Sequence, residues 1–76
     1  MRIQRTRAGK GGKTVTLITG LELSEAEARA LLRQLKASCG TGGTLKDGQI
    51  ELQGDQLEAA LTALERQGFQ PKRAGG

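Results

Sequence analysis

Seventy-six residues make one small domain, 1–76, and sixteen large apolar side chains besides Met1 can build one helical layer against one sheet, leaving no room for an interior cofactor cavity of several hundred Å³. Twelve Lys and Arg against eight acids leave a net charge of +4 and a pI near 9.9, which suits a polyanionic partner such as nucleic acid. A single cysteine excludes an internal disulfide, and the absence of His, Trp and Tyr removes the commonest general base and the usual base-stacking platforms.

The first elements in chain order are two strands, Arg2–Thr6 and Lys13–Thr19. The second is rich in β-branched residues and sets Val15 and Leu17 on one side against Thr14 and Thr16 on the other. Between the strands, residues 7–13 carry three glycines within four positions and predict a mobile loop joining an antiparallel pair. Arg2, Arg5, Arg7, Lys10 and Lys13 put five positive charges into thirteen residues that hold no acid.

Ser24-Glu-Ala-Glu27 has the form of a capping box and opens a first helix. Ala28, Leu31, Leu32, Leu35 and Cys39 fall at helical spacing on one face of it, and Arg29, Arg33 and Lys36 on another. Gly40 is the expected left-handed C-cap. Asp47-Gly48 is a hairpin signal: both residues tolerate the positive φ of a type I′ turn. That turn opposes Lys46 to Gln49, Leu45 to Ile50 and Thr44 to Glu51, and places Leu45, Ile50 and Leu52 on one face of the hairpin.

Asp55 is predicted to N-cap a second helix, with Glu58 closing a second capping box. Leu57, Ala60, Leu61 and Leu64 form its apolar face, and Gly68 stops it. Phe69–Arg73 predicts a short last strand, which Pro71 confines to an edge because it lacks an N–H. The order is β-β-α-β-β-α-β, with both helices on one face of a single sheet.

Catalytic machinery is not expected. Cys39 has neither a His nor a second Cys to make a nucleophilic dyad or a zinc site, and it continues the apolar stripe of the first helix. Gly12-Lys13-Thr14 lacks the upstream glycine of a phosphate-binding P-loop, because position 7 is Arg, and a strand follows where a helix is needed. No cofactor or metal is implied. The basic loop reads either as a solvated hairpin tip or as a probe reaching phosphates, with glycines permitting close backbone approach. The helix stripe reads either as a solvated face, with Glu25 supporting Arg29 at i, i+4, or as a surface for a nucleic-acid backbone.

Several stretches together resemble the family of eukaryotic translation initiation factor one, and most closely its bacterial YciH-like branch. They are Thr16-Leu-Ile-Thr-Gly-Leu21 after a basic Gly-rich hairpin loop, Leu35-Lys-Ala-Ser-Cys-Gly-Thr-Gly-Gly-Thr-Leu-Lys-Asp-Gly48, and Ile50-Glu-Leu-Gln-Gly-Asp-Gln56. The resemblance implies an α/β two-layer sandwich (α+β), two helices on one face of a five-stranded mixed sheet. It implies no enzymatic activity, but binding to the small ribosomal subunit near the P site, with a part in start-codon and initiator-tRNA discrimination. The RNA-binding residues it implies are Arg5, Arg7, Lys10 and Lys13 on the loop and Arg29, Arg33 and Lys36 on the helix, with Gly54, Asp55 and Gln56 as a further motif. The implied partners are small-subunit rRNA, initiator tRNA, mRNA and other initiation factors.

Family members usually carry an extension before the first strand, and here the strand begins at residue 2. The rival expectations are a general RNA chaperone or stress-linked translation regulator, and a ubiquitin-like carrier activated at Gly76, against which the order of elements argues. No apolar run approaches the ~18–20 residues of a membrane span and no signal-peptide pattern opens the chain. A cytoplasmic monomer is the expectation.

Overall fold

The computed structural model describes residues 1–8 and 12–73. Its elements are β1 (Arg2–Ala8), β2 (Lys13–Thr19), α1 (Glu25–Cys39), β3 (Gly43–Lys46), β4 (Gln49–Gln53), α2 (Leu57–Arg66) and β5 (Lys72–Arg73), in the predicted order. The strands form one five-stranded mixed sheet in the order β3-β4-β2-β1-β5. Only β5 runs parallel to its neighbour, pairing Lys72 with Arg2 at the sheet edge.

The β3–β4 turn takes the conformation that its sequence demands, with φ of 52° at Asp47 and 73° at Gly48. The register follows from it: Lys46 opposes Gln49, Leu45 opposes Ile50, and Thr44 opposes Glu51. Local signals also set the bounds of α1. Ser24 and Glu27 close the capping box with two 3.2 Å bonds, and Gly40 ends the helix in the left-handed region at φ 62°, ψ 37°. At the end of α2, Phe69 N–H donates to Leu64 C=O and Gly68 N–H to Glu65 C=O, both at 3.1 Å. This is a Schellman closure, with Gly68 at φ 91°.

Ile3, Ile18 and Ile50 stand opposite one another across β1, β2 and β4 and therefore share a face. All three are fully buried, in one cluster with Leu31 and Leu35 of α1 and Leu57, Ala60 and Leu64 of α2. Both helices thus cover the same face, α1 over β3 and β4 and α2 beside β1. The two sides of β2 are as predicted, but the covered side is the one that carries the threonines. Ile18 shares its side with Thr14 and Thr16, and its pairing with Ile3 and Ile50 outweighs the apolar count of Val15 and Leu17. Those two residues lie on the open face, where Val15 is still only 8% exposed.

Three predictions for the ends of elements are corrected. The last strand is Lys72–Arg73 alone, not Phe69–Arg73. Residues 7–13 are not all loop: β1 continues to Ala8 and β2 begins at Lys13, because Arg7 pairs with Thr14 and Ala8 with Lys13. Nor is Asp55 the N-cap of α2. The first helical bond runs from Ala60 N–H to Gln56 C=O at 2.8 Å, which makes Gln56 the cap. Glu58 does not reach back to complete a box; its carboxylate accepts from Arg73 of β5.

The β3 strand starts at a glycine for steric reasons. A Cβ on Gly43 would lie 2.9 Å from the Glu51 carbonyl oxygen, 2.9 Å from Leu52 Cδ2 and 3.2 Å from Leu32 Cδ1. The backbone oxygen cannot yield without breaking the β3–β4 ladder. Gly43→Ala should therefore cost about 1–2 kcal/mol, overpacking exceeding the small gain from a less flexible unfolded chain. Thermal unfolding of the variant checks this, and an unchanged Tm would refute it.

Candidate nucleic-acid interface

The cationic tip of the molecule is built by the β1–β2 hairpin. Successive residues on a strand alternate sides, so Arg5 and Arg7 project toward the helix-covered side and Lys13 toward the open side. Arg7 and Lys13 are exposed, and the tip presents positive charge on both of its surfaces. Gly12, with φ of 62°, lies against Arg7: a Cβ there would be 3.8 Å from Arg7 Cδ. Lys10, the remaining cation predicted for this element, lies outside the described residues.

Arg5 has a different setting. Its guanidinium donates to Asp55 Oδ2 at 3.1 Å, with both side chains about half exposed. A pair so exposed contributes little to stability, on the order of 0–1 kcal/mol. Its importance is geometric: it joins the hairpin to the turn that starts α2. The other Asp55 oxygen makes a long 3.5 Å contact with Leu57 N–H. Arg5, Thr6, Arg7, Thr14 and Asp55 line an open cleft of about 390 Å³.

Arg29, Arg33 and Lys36 are all exposed on α1. Arg29 Nη2 donates to Glu25 Oε1 at 3.0 Å across one helical turn. Arg33 and Lys36 have no ion-pair partner among the described residues. Ala28, Leu31 and Leu35 are the buried side of α1, and at 100° per residue the basic stripe falls on the far side of the helix from them, facing away from the sheet. α1 itself lies over β3 and β4, whereas the hairpin belongs to β2 and β1, beyond β4 in the sheet. The structure does not merge the two predicted basic elements into one patch. They are separate surfaces on one scaffold.

The predicted motif Gly54, Asp55 and Gln56 forms the turn between β4 and α2. Gly54 has φ of 82° and donates its N–H to Thr14 C=O at 2.9 Å. The residue that organises this turn is Thr16, which the strand pattern alone does not single out. Its hydroxyl donates to Gly54 C=O at 2.9 Å and accepts from Gln56 N–H at 2.8 Å. Ile18, two residues on, is the signal that could have revealed it, since an apolar residue on the threonine side marks that side as covered.

Cys39 is half-buried in the apolar stripe of α1. Burial pushes its thiol pKa above the ordinary value, away from the thiolate that nucleophilic or metal-binding chemistry requires. Among the described residues no group of His, Cys, Asp and Glu is arranged to hold a metal ion. None of the described helices is long and apolar enough to cross a membrane. Gly76, the attachment point that a ubiquitin-like carrier would use, lies outside the described residues.

Residues 1–70 match the family model described as translation initiation factor SUI1. The chain belongs to the SUI1 family. That family is one of translation initiation factors and not a class of enzymes. Over all 76 residues the chain is 53% identical to a Synechocystis protein and 49% identical to the YciH protein of Escherichia coli K12, covering 68% and 70% of their lengths. It is also 43% identical over 63 residues to a protein of Ignicoccus hospitalis called protein translation factor SUI1 homolog, matching 83% of this chain and 61% of that protein. Its relatives thus include YciH-like bacterial proteins, the branch that the sequence resemblance implied, and archaeal SUI1 homologues.

Proposed function

We propose that this SUI1 protein binds the small ribosomal subunit near the P site and contributes to start-codon and initiator-tRNA discrimination. The observation that carries the proposal is the exposed β1–β2 tip, with Arg7 and Lys13 directed to opposite sides of a rigid two-strand support. Phosphates attract such a tip through charge, and the strand ladder holds its cations in place. Family membership supplies the context, since the matching model and the archaeal relatives carry translation-factor names. Small-subunit rRNA is the primary partner, and initiator tRNA, mRNA and other initiation factors share that location. Such a role is exercised in the cytoplasm. Lys10 belongs to the same element by sequence, and Arg33 and Lys36 supply a second rRNA contact.

Recognition here is by shape and charge. Phe69 is the sole aromatic residue and packs against the core, so base stacking is not available to it. Co-sedimentation with purified small subunits across a salt series, combined with footprinting of the rRNA, tests the reading. The expected result is saturable binding and a protected region at the P site. Comparable, salt-steep affinity for many unrelated RNAs, without a discrete footprint, would replace this reading with that of a general RNA chaperone.

A further inference from the structure

We propose that the buried hydroxyl of Thr16 is a specificity-determining positioning group: it sets the hairpin cations against the start of α2 and so decides which RNA the protein prefers. The inference rests on the reading that the hairpin meets ribosomal RNA. Thr16 is fully buried, and it is the one polar side chain among the buried described residues. Directly across the ladder from it on one side is Leu52, and Ile18 lies two residues along. Valine has nearly the same shape, and packing alone would be served as well by it. A hydroxyl carries a desolvation cost in such a place unless it is bonded, and here it is bonded twice, to Gly54 C=O and Gln56 N–H.

Both bonds end on one three-residue turn, and two further links reach the same turn from the hairpin. Gly54 N–H donates to Thr14 C=O, and Asp55 holds Arg5, the residue opposite Thr16 on β1. The turn is therefore tied to both strands just below the tip, with Arg7 two residues beyond Arg5 and Lys13 three before Thr16. General attraction to RNA depends on the number of charges. Preference for one folded RNA depends on where those charges stand. Removing the Thr16 hydroxyl alters placement and leaves charge untouched, so the two contributions can be measured apart.

The test measures the dissociation constants of wild type, Thr16→Val and Thr16→Ser for purified small subunits and for an unstructured oligouridine. Measurements span a salt series at a temperature where each protein is folded. Wild type is expected to prefer the subunit. Thr16→Val should bind the subunit roughly tenfold more weakly, with oligouridine affinity and salt slope unchanged, and Thr16→Ser should restore the preference. A purely structural role would lower Tm and leave both dissociation constants as they were, which would overturn the proposal. Should Thr16→Val fail to fold, Thr16→Ala, which also removes the hydroxyl and leaves every charge in place, takes its place with the same expectation. If wild type itself shows no preference for the subunit, the ribosomal reading fails and this proposal with it. If wild type shows the preference and the folded variants keep it, this proposal alone fails.

Discussion

Reversing the charge of the hairpin tip, with Arg7, Lys10 and Lys13 all changed to Glu, should lower affinity for small ribosomal subunits by about a hundredfold or more near physiological salt. Each phosphate contact contributes a slope of roughly −0.7 to −0.9 to the dependence of log K on log salt, so three lost contacts remove about two orders of magnitude at 0.15 M. The introduced acids add repulsion beyond that. The salt slope should flatten by about two to three. The variant should fold as wild type does, because Arg7 and Lys13 are exposed and Arg5, which is joined to Asp55, is left in place. Co-sedimentation over a salt series measures both quantities. Undiminished binding at moderate salt would move the RNA-binding surface away from the hairpin, to the separate stripe on α1.

Ile18→Ala should have the largest effect on stability of any conservative truncation in the sheet. Ile18 is fully buried and is the middle member of the row Ile3–Ile18–Ile50 across β1, β2 and β4. Both helices pack on the cluster that this row anchors. Removing three carbons there costs the transfer free energy and leaves a cavity that rigid strands cannot close, for a total of about 3–4 kcal/mol. In a domain of this size that lowers Tm by about 15–25 °C, and it consumes much of the stability expected of so short a chain. Calorimetry or chemical denaturation would measure it. A loss below about 1 kcal/mol would mean that the row is not the centre of the core. Leu17→Ala makes the matched control: Leu17 lies on the open face and is only half-buried, so its truncation should cost clearly less.

Much of this architecture can be read without coordinates because it is encoded locally. Ser24 and Glu27 are three residues apart, Asp47 and Gly48 are adjacent, and Gly40 and Gly68 each follow directly on a helical pattern. Conformational preference and short-range hydrogen bonding act over such distances, so the helices, the tight hairpin and the element order are properties of the chain itself. The basic tip is legible for the same reason, its cations being close together in a segment free of acids.

Cross-strand and strand-to-turn contacts are of another kind. The Arg5–Asp55 pair spans 50 residues and the Thr16–Gly54 bond 38. Whether Arg5 faces solvent or a carboxylate, and whether Thr16 is wet or buried, depends on which side of β2 the helices cover. Alternation along β2 specifies two sides without saying which is inside. Asp55 illustrates the same limit at a helix end: its sequence position suits an N-cap, yet Arg5 engages its carboxylate and Gln56 takes the cap. Local preferences along the chain specify the elements, their order and the placement of charge. The tertiary structure decided the covered face of β2, the separation of the two basic surfaces and the bracing of the hairpin by Thr16, because each depends on the mutual burial of segments that are far apart along the chain.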